Sequence, residues 1–129
     1  MDREVVDLDV LRPPPQIAKL GGNEIDLSFV PCALTFEVDR LANELAGLDI
    51  DEVNKGGDEA QRAFNIAIEL CATFCEWKYP EMDKEWFQSN TDPVQINKLS
   101  EMIQSTLQRS YAGAEAYGKN PEAARESNG

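Results

Sequence analysis

The segment from Asp58 to Lys78 most limits what this chain folds into. Its apolar residues are Ala60, Ala63, Phe64, Ile66, Ala67, Ile68, Leu70, Cys71, Ala72, Phe74, Cys75 and Trp77. At helical spacing they cover most of the circumference. A helix with no wide polar face must be surrounded by other elements, so this one is predicted to be central and buried. Asp58 with Gln61 reads as a capping pair at its start, and Pro80 stops it near residue 78. Asn65, Glu69, Thr73 and Glu76 interrupt the apolar run, so it does not reach membrane-spanning length.

The flanking segments supply the surroundings. Residues 1–15 are acidic and end in Arg12-Pro13-Pro14-Pro15, which reads as a stiff, extended lead-in rather than a recognition arm. Ile17 to Leu20, Gly21-Gly22-Asn23 and Glu24 to Phe29 form a β-hairpin pattern. The second strand alternates Ile25, Leu27 and Phe29 against Glu24, Asp26 and Ser28, and the glycines allow a tight turn. Pro31 closes that strand. Leu34, Val38, Leu41, Leu45 and Leu48 then mark one stripe of an amphipathic helix over about 35–48. Asp49 to Gly57 reads as a polar loop, and Glu81 to Asn90 as a short helix or turn. Asp92, Pro93 and Gln95 start a long helix over about 92–112, with Ile96, Leu99, Met102, Ile103, Leu107 and Tyr111 on its stripe. The expected fold is α+β, mainly α: an N-terminal β-hairpin (16–30) packed on a three- to four-helix assembly with a central buried helix. Residues 16–117 make one domain and 118–129 a disordered tail.

Composition narrows the function. Of 129 residues, 24 are acidic, 12 basic and none histidine, for a net charge of -12. Residues 1–60 carry 14 acids and 5 bases, and residues 61–129 carry 10 acids and 7 bases. Such a surface repels phosphates, so neither nucleic acid nor an anionic membrane is expected as a partner. Without histidine there is no His base, His ligand, or Ser-His or Cys-His pair. Cys32, Cys71 and Cys75 lack zinc-ligand spacing, and no metal or other cofactor is expected. The N-terminus reads as neither signal nor transit peptide, and the odd cysteine count suits reduced thiols in a cytosol.

Three constellations bear on sites. Cys71 and Cys75 lie one turn apart mid-helix among large apolar residues, where cysteine acts as a small hydrophobe. Glu69 and Glu76 share one helix face, which either meets water or pairs with a base such as Arg62; no pocket for acid catalysis is implied. Trp77, Tyr79, Met82, Trp86 and Phe87 gather around Pro80. They form either a satellite core under a loop or an apolar surface that grips a partner, and the exposure of Trp86 separates the two. These five are the candidate partner-binding residues. No catalytic residue is expected, and the chain is read as a binding protein rather than an enzyme.

The hairpin Ile17-Ala18-Lys19-Leu20-Gly21-Gly22-Asn23-Glu24-Ile25-Asp26-Leu27-Ser28-Phe29, the following helix with Phe36, Leu41 and Leu45, and the helical remainder with its polar tail resemble tail assembly chaperones of long-tailed bacteriophages and related prophage elements. The resemblance covers about residues 16–112. It implies a holdase for tail morphogenesis that coats the aggregation-prone tape measure protein and recruits tail-tube subunits. It also implies work in the bacterial host cytoplasm and absence from the mature virion. Some members are made in a short and a longer, frameshifted form. The family has no catalytic residues to carry over. Two other readings stand beside it: a structural head–tail adaptor or tail-completion protein, and an acidic inhibitor of a host protein. The stripe on residues 34–48 also suits self-association.

Overall fold

The computed structural model describes residues 5–11 and 13–119, with side chains to residue 110. Its first regular pair is β1 (Ile17–Leu20) against β2 (Asn23–Asp26), antiparallel, with Leu20 opposite Asn23 and Ile17 opposite Asp26. The two-residue turn has Gly21 at φ 58° and Gly22 at φ 84°, the left-handed pairing that matches strand twist. Regular pairing stops at Asp26, whose carboxylate accepts from the Ser28 amide at 2.9 Å and turns the chain. Ile25 and Leu27 are nonetheless buried as the alternation predicts, whereas Ile17 faces outward.

The helices are α1 (Cys32–Ala46), α2 (Ile50–Asn54), α3 (Asp58–Glu76), α4 (Lys84–Asn90) and α5 (Pro93–Lys119). The architecture is therefore mainly helical α+β: a two-stranded hairpin, then four main helices and the single-turn α2. α3 packs against α1, α2, α4 and α5, and so holds the central position its sequence demanded. α1 runs antiparallel to α3. Pro31 at its start shares a groove with Trp77, and Leu45 near its end shares a cavity with Ala63 and Phe64. α5 is also antiparallel to α3, with the Cys71 thiol 3.8 Å from the Ile96 carbonyl. Leu27, Val38, Leu41, Leu70, Met82, Phe87, Ile96 and Ile103 form the deepest part of the core.

Several expectations are corrected. α1 begins at Cys32, three residues early, because Pro31 occupies the cap position and its carbonyl accepts from the Leu34 amide at 2.9 Å. The 49–57 loop contains α2, whose start is capped by the Asp49 carboxylate on the Asp51 amide at 2.9 Å. No side chain caps α3. Gly57, at φ 78°, holds the cap position, and Asp58 is instead the first helical residue, where its charge favours the positive end of the helix. α3 ends at Glu76 rather than 78. The lead-in is not extended throughout, since Leu8–Leu11 form a 3-10 turn. α5 continues past 112 to Lys119, so residues 118 and 119 end a helix; the rest of the tail expected to be disordered, 120–129, and the Tyr111 side chain lie outside the described residues.

The predicted start of α5 is realised as a reciprocal pair. The Gln95 amide donates to the Asp92 carboxylate, and the Asp92 amide donates to the Gln95 side-chain oxygen, both at 2.9 Å. Farther along α5, the buried Thr106 hydroxyl donates to the Leu27 carbonyl at 2.8 Å, and Arg109 donates to the Gln16 side chain at 2.9 Å. These bonds lay the hairpin along α5. No helix among the described residues is long and apolar enough to cross a membrane.

Candidate partner-binding surface

At the end of α3 apolar surface reaches solvent. Over most of its length α3 is covered by neighbouring helices. At Trp77, its C-terminal cap, that cover ends, and the indole is 59% exposed. The chain then turns through Tyr79, whose hydroxyl donates to the Glu24 carbonyl at 2.7 Å and ties the turn to β2. Between β2, the loop into α1 and the end of α3 lies a groove of about 400 Å³. Ile25, Phe29, Pro31, Phe74, Trp77 and Tyr79 line it, with Asp26 and Lys78 at its polar positions. Phe36, five residues beyond Pro31 on α1, is 85% exposed. A large aromatic held in water on a rigid helix is surface available for burial against another molecule.

The five candidate residues thus separate. Met82 and Phe87 have no exposed surface and belong to the core. The Met82 sulfur also accepts from the Asn23 side-chain amide at 3.5 Å. Trp86 is half-buried: its ring lies under the hairpin turn and meets Phe87 edge-on, with centroids 5.0 Å apart. α4 carries both rings inward because the Asp83 carboxylate caps it on the Trp86 amide at 2.9 Å. That leaves Trp77 and Tyr79 at the groove. The satellite-core reading describes Met82, Trp86 and Phe87, and the surface reading is confined to the other two. Phe36 and Phe29 were not among the candidates. The sequence signal for Phe36 was its place off the Leu34–Leu48 stripe, on the face with Arg40.

Cys71 and Cys75 are buried on α3, and Cys32 is exposed and free. Burial in apolar surroundings pushes the Cys75 thiol up to about 12, and burial first, then the neighbouring Cys75, pushes Cys71 up further. Both are neutral thiols at physiological pH. Glu76 is exposed and Glu69 half-buried. Arg40 of α1 feels the charge of Glu69. Arg40 donates to Glu37 and, at 2.6 Å, to Glu44 on its own helix, and its proton is held more tightly chiefly by the Glu37 hydrogen bond. The same bond, first among its causes, lowers Glu37.

A larger cavity of about 580 Å³ lies between α3 and α5, with Leu45 and Val53 at one side. Its α5 wall is Asn97, Ser100, Gln104, Ser105 and Gln108, and Glu101 is its single carboxylate. Among the described residues, no group of three or more cysteine, aspartate or glutamate side chains is placed to hold a metal. The arrangement offers apolar contact and a few amide and hydroxyl partners, with one acid and one base at the groove and one carboxylate at the cavity.

Comparison of the chain with protein-family models, with curated proteins and with solved structures finds no match in any of the three.

Proposed function

We propose that this chain is a non-catalytic tail assembly chaperone of the kind made by long-tailed phages and prophage elements. It binds exposed apolar helix of a tape measure protein and recruits tail-tube subunits in the host cytoplasm. The observation that carries this reading is the groove beside Trp77: an apolar contact site, open to solvent, on a chain of net charge -12. Apolar side chains of the client fill the groove, and the surrounding charge keeps the loaded complex from associating with other complexes. The resemblance of the hairpin-and-helix order to that family supplies the client's identity. The settled core, with Met82 and Phe87 inside, supplies a rigid platform for the groove.

Co-expression with a tape measure protein tests the reading. The long protein is expected in the soluble fraction with this chain and in the pellet without it. Equal pelleting in both cases overturns the proposal. Mass spectrometry of purified virions separates it from a structural adaptor: a chaperone is absent from particles, and an adaptor is present at fixed stoichiometry.

A further inference from the structure

The structure holds an acidic, apolar segment and, elsewhere on the same chain, a basic-edged apolar groove that matches it. The segment is Val5–Leu11. Val5, Val6, Leu8, Val10 and Leu11 are each more than half exposed, and Asp7 and Asp9 alternate with them. None of the residues of its 3-10 turn is buried. The groove, of about 290 Å³, lies between β1 and the first half of α5. Ala18, Leu20, Val94, Leu99 and Met102 make its floor and sides, and Lys19 and Lys98 stand at its edges. No acid lines it, on a chain where acids outnumber bases two to one. Val94 at its mouth is 75% exposed. Lys98 lies 3.5 Å from Glu101, a long and largely exposed contact that leaves the ammonium available to a second carboxylate.

We propose that the Val5–Leu11 segment of one copy docks in the β1–α5 groove of a second copy. Apolar residues of the segment cover Ala18, Val94 and Met102, and Asp7 and Asp9 meet Lys19 and Lys98. The path of the chain favours exchange between copies over folding back. β1 runs opposite to α5, with Gln16 beside Arg109 and Leu20 toward Val94. The segment therefore leaves the body at the far end of the groove. To reach its own groove it must reverse along β1 within residues 12–16, of which Pro13, Pro14 and Pro15 have fixed φ angles that favour extended backbone. An extended run instead carries the segment outward, to a neighbour. The pairing is independent of the Trp77 groove, so it stands or falls apart from the chaperone reading.

Sedimentation velocity on the full chain tests this, over micromolar to submillimolar concentration. Two variants change only exposed residues: Leu8→Asp with Val10→Asp in the segment, and Val94→Asp with Lys98→Glu in the groove. The wild-type chain is expected to associate, and each variant to do so at least tenfold more weakly. Mixing the two variants is expected to restore association, because one retains a segment and the other a groove; the mixed pair should form at least tenfold more tightly than either variant with itself. A wild-type chain that stays monomeric throughout overturns the proposal. So does association indifferent to the segment variant, or a mixture no tighter than its parts, which would place the segment on its own chain or elsewhere.

Discussion

A Cβ built on Gly21 would lie 2.8 Å from Cζ2 of Trp86. The hairpin turn thus rests directly on the indole, and the same glycine sits at φ 58°. A Cβ on Gly22, at φ 84°, would meet nothing within 4 Å. The two neighbours share one kind of backbone demand and differ in packing. Gly21→Ala meets both left-handed strain, about 1–2 kcal/mol, and a ring already wedged against Phe87. Gly22→Ala meets the strain alone. Urea denaturation should place Gly21→Ala below Gly22→Ala by about 1 kcal/mol or more. Equal midpoints would mean that the ring moves aside freely.

Thr106 joins α5 to the hairpin's exit through the Leu27 carbonyl. Thr106→Val keeps the shape but removes the hydroxyl, and with it both the bond to the Leu27 carbonyl and the acceptor for Arg109 at 3.2 Å. The expected loss is about 1–3 kcal/mol, whereas Thr106→Ser, which keeps the hydroxyl, should cost less. Thermal melts of the pair decide it, and a valine variant as stable as the parent would show that the bond contributes nothing net.

The buried thiols set a pH limit. Their folded-state pKa values are raised, so the neutral form stabilises the fold fully below the unfolded value near 9.0. Above it the unfolded chain releases protons that the folded chain retains, and stability falls as pH rises toward 12. The slope is at most about 1.4 kcal/mol per pH unit for each thiol. Denaturant midpoints at pH 8, 9 and 10 should decline, and less steeply in Cys75→Ala. A thiol reagent at pH 8 should modify Cys32 alone in the native chain and all three cysteines in denaturant. Rapid native modification of Cys71 or Cys75 would contradict their burial.

The separation of the aromatic residues also gives a prediction. Trp77→Ser should change stability by no more than about 0.5 kcal/mol, as an exposed site does. Phe87→Ala should cost about 3–5 kcal/mol, because it empties a fully buried ring site. Acrylamide should quench Trp77, isolated in a Trp86→Phe variant, more strongly than Trp86 in a Trp77→Phe variant. Equal quenching would place both indoles in the same surroundings.

Much of the fold was legible because short-range chemistry specified it. Gly21-Gly22-Asn23 announced the hairpin, and Asp92-Pro93 with Gln95 announced α5 through the very bonds the structure makes. The all-round apolar pattern of α3 announced its central place. Its cap was misread because Asp58 and Gln61 fit a capping pattern, while Gly56 and Gly57, both at positive φ, bring the chain in one residue earlier. α2 was missed because five residues are too few for a periodic signal. The candidate surface was legible only in part. Trp77 and Trp86 look alike in sequence, since each adjoins apolar helix. Their fates differ because Trp86 lies beneath a turn 65 residues earlier in the chain, and Trp77 stands where the helices around α3 end. Neither fact is local.

If Trp77 and its groove receive apolar helix from a tape measure protein, the indole leaves water when that helix binds. The most direct measurement is the emission of Trp77, as the single tryptophan of a Trp86→Phe variant, during titration with a purified amphipathic segment of such a protein. A saturable blue shift is expected, with at least tenfold weaker binding of the same segment to Trp77→Ser, followed by a label on the segment. Absence of binding, or binding with unshifted emission and no loss in Trp77→Ser, would contradict it.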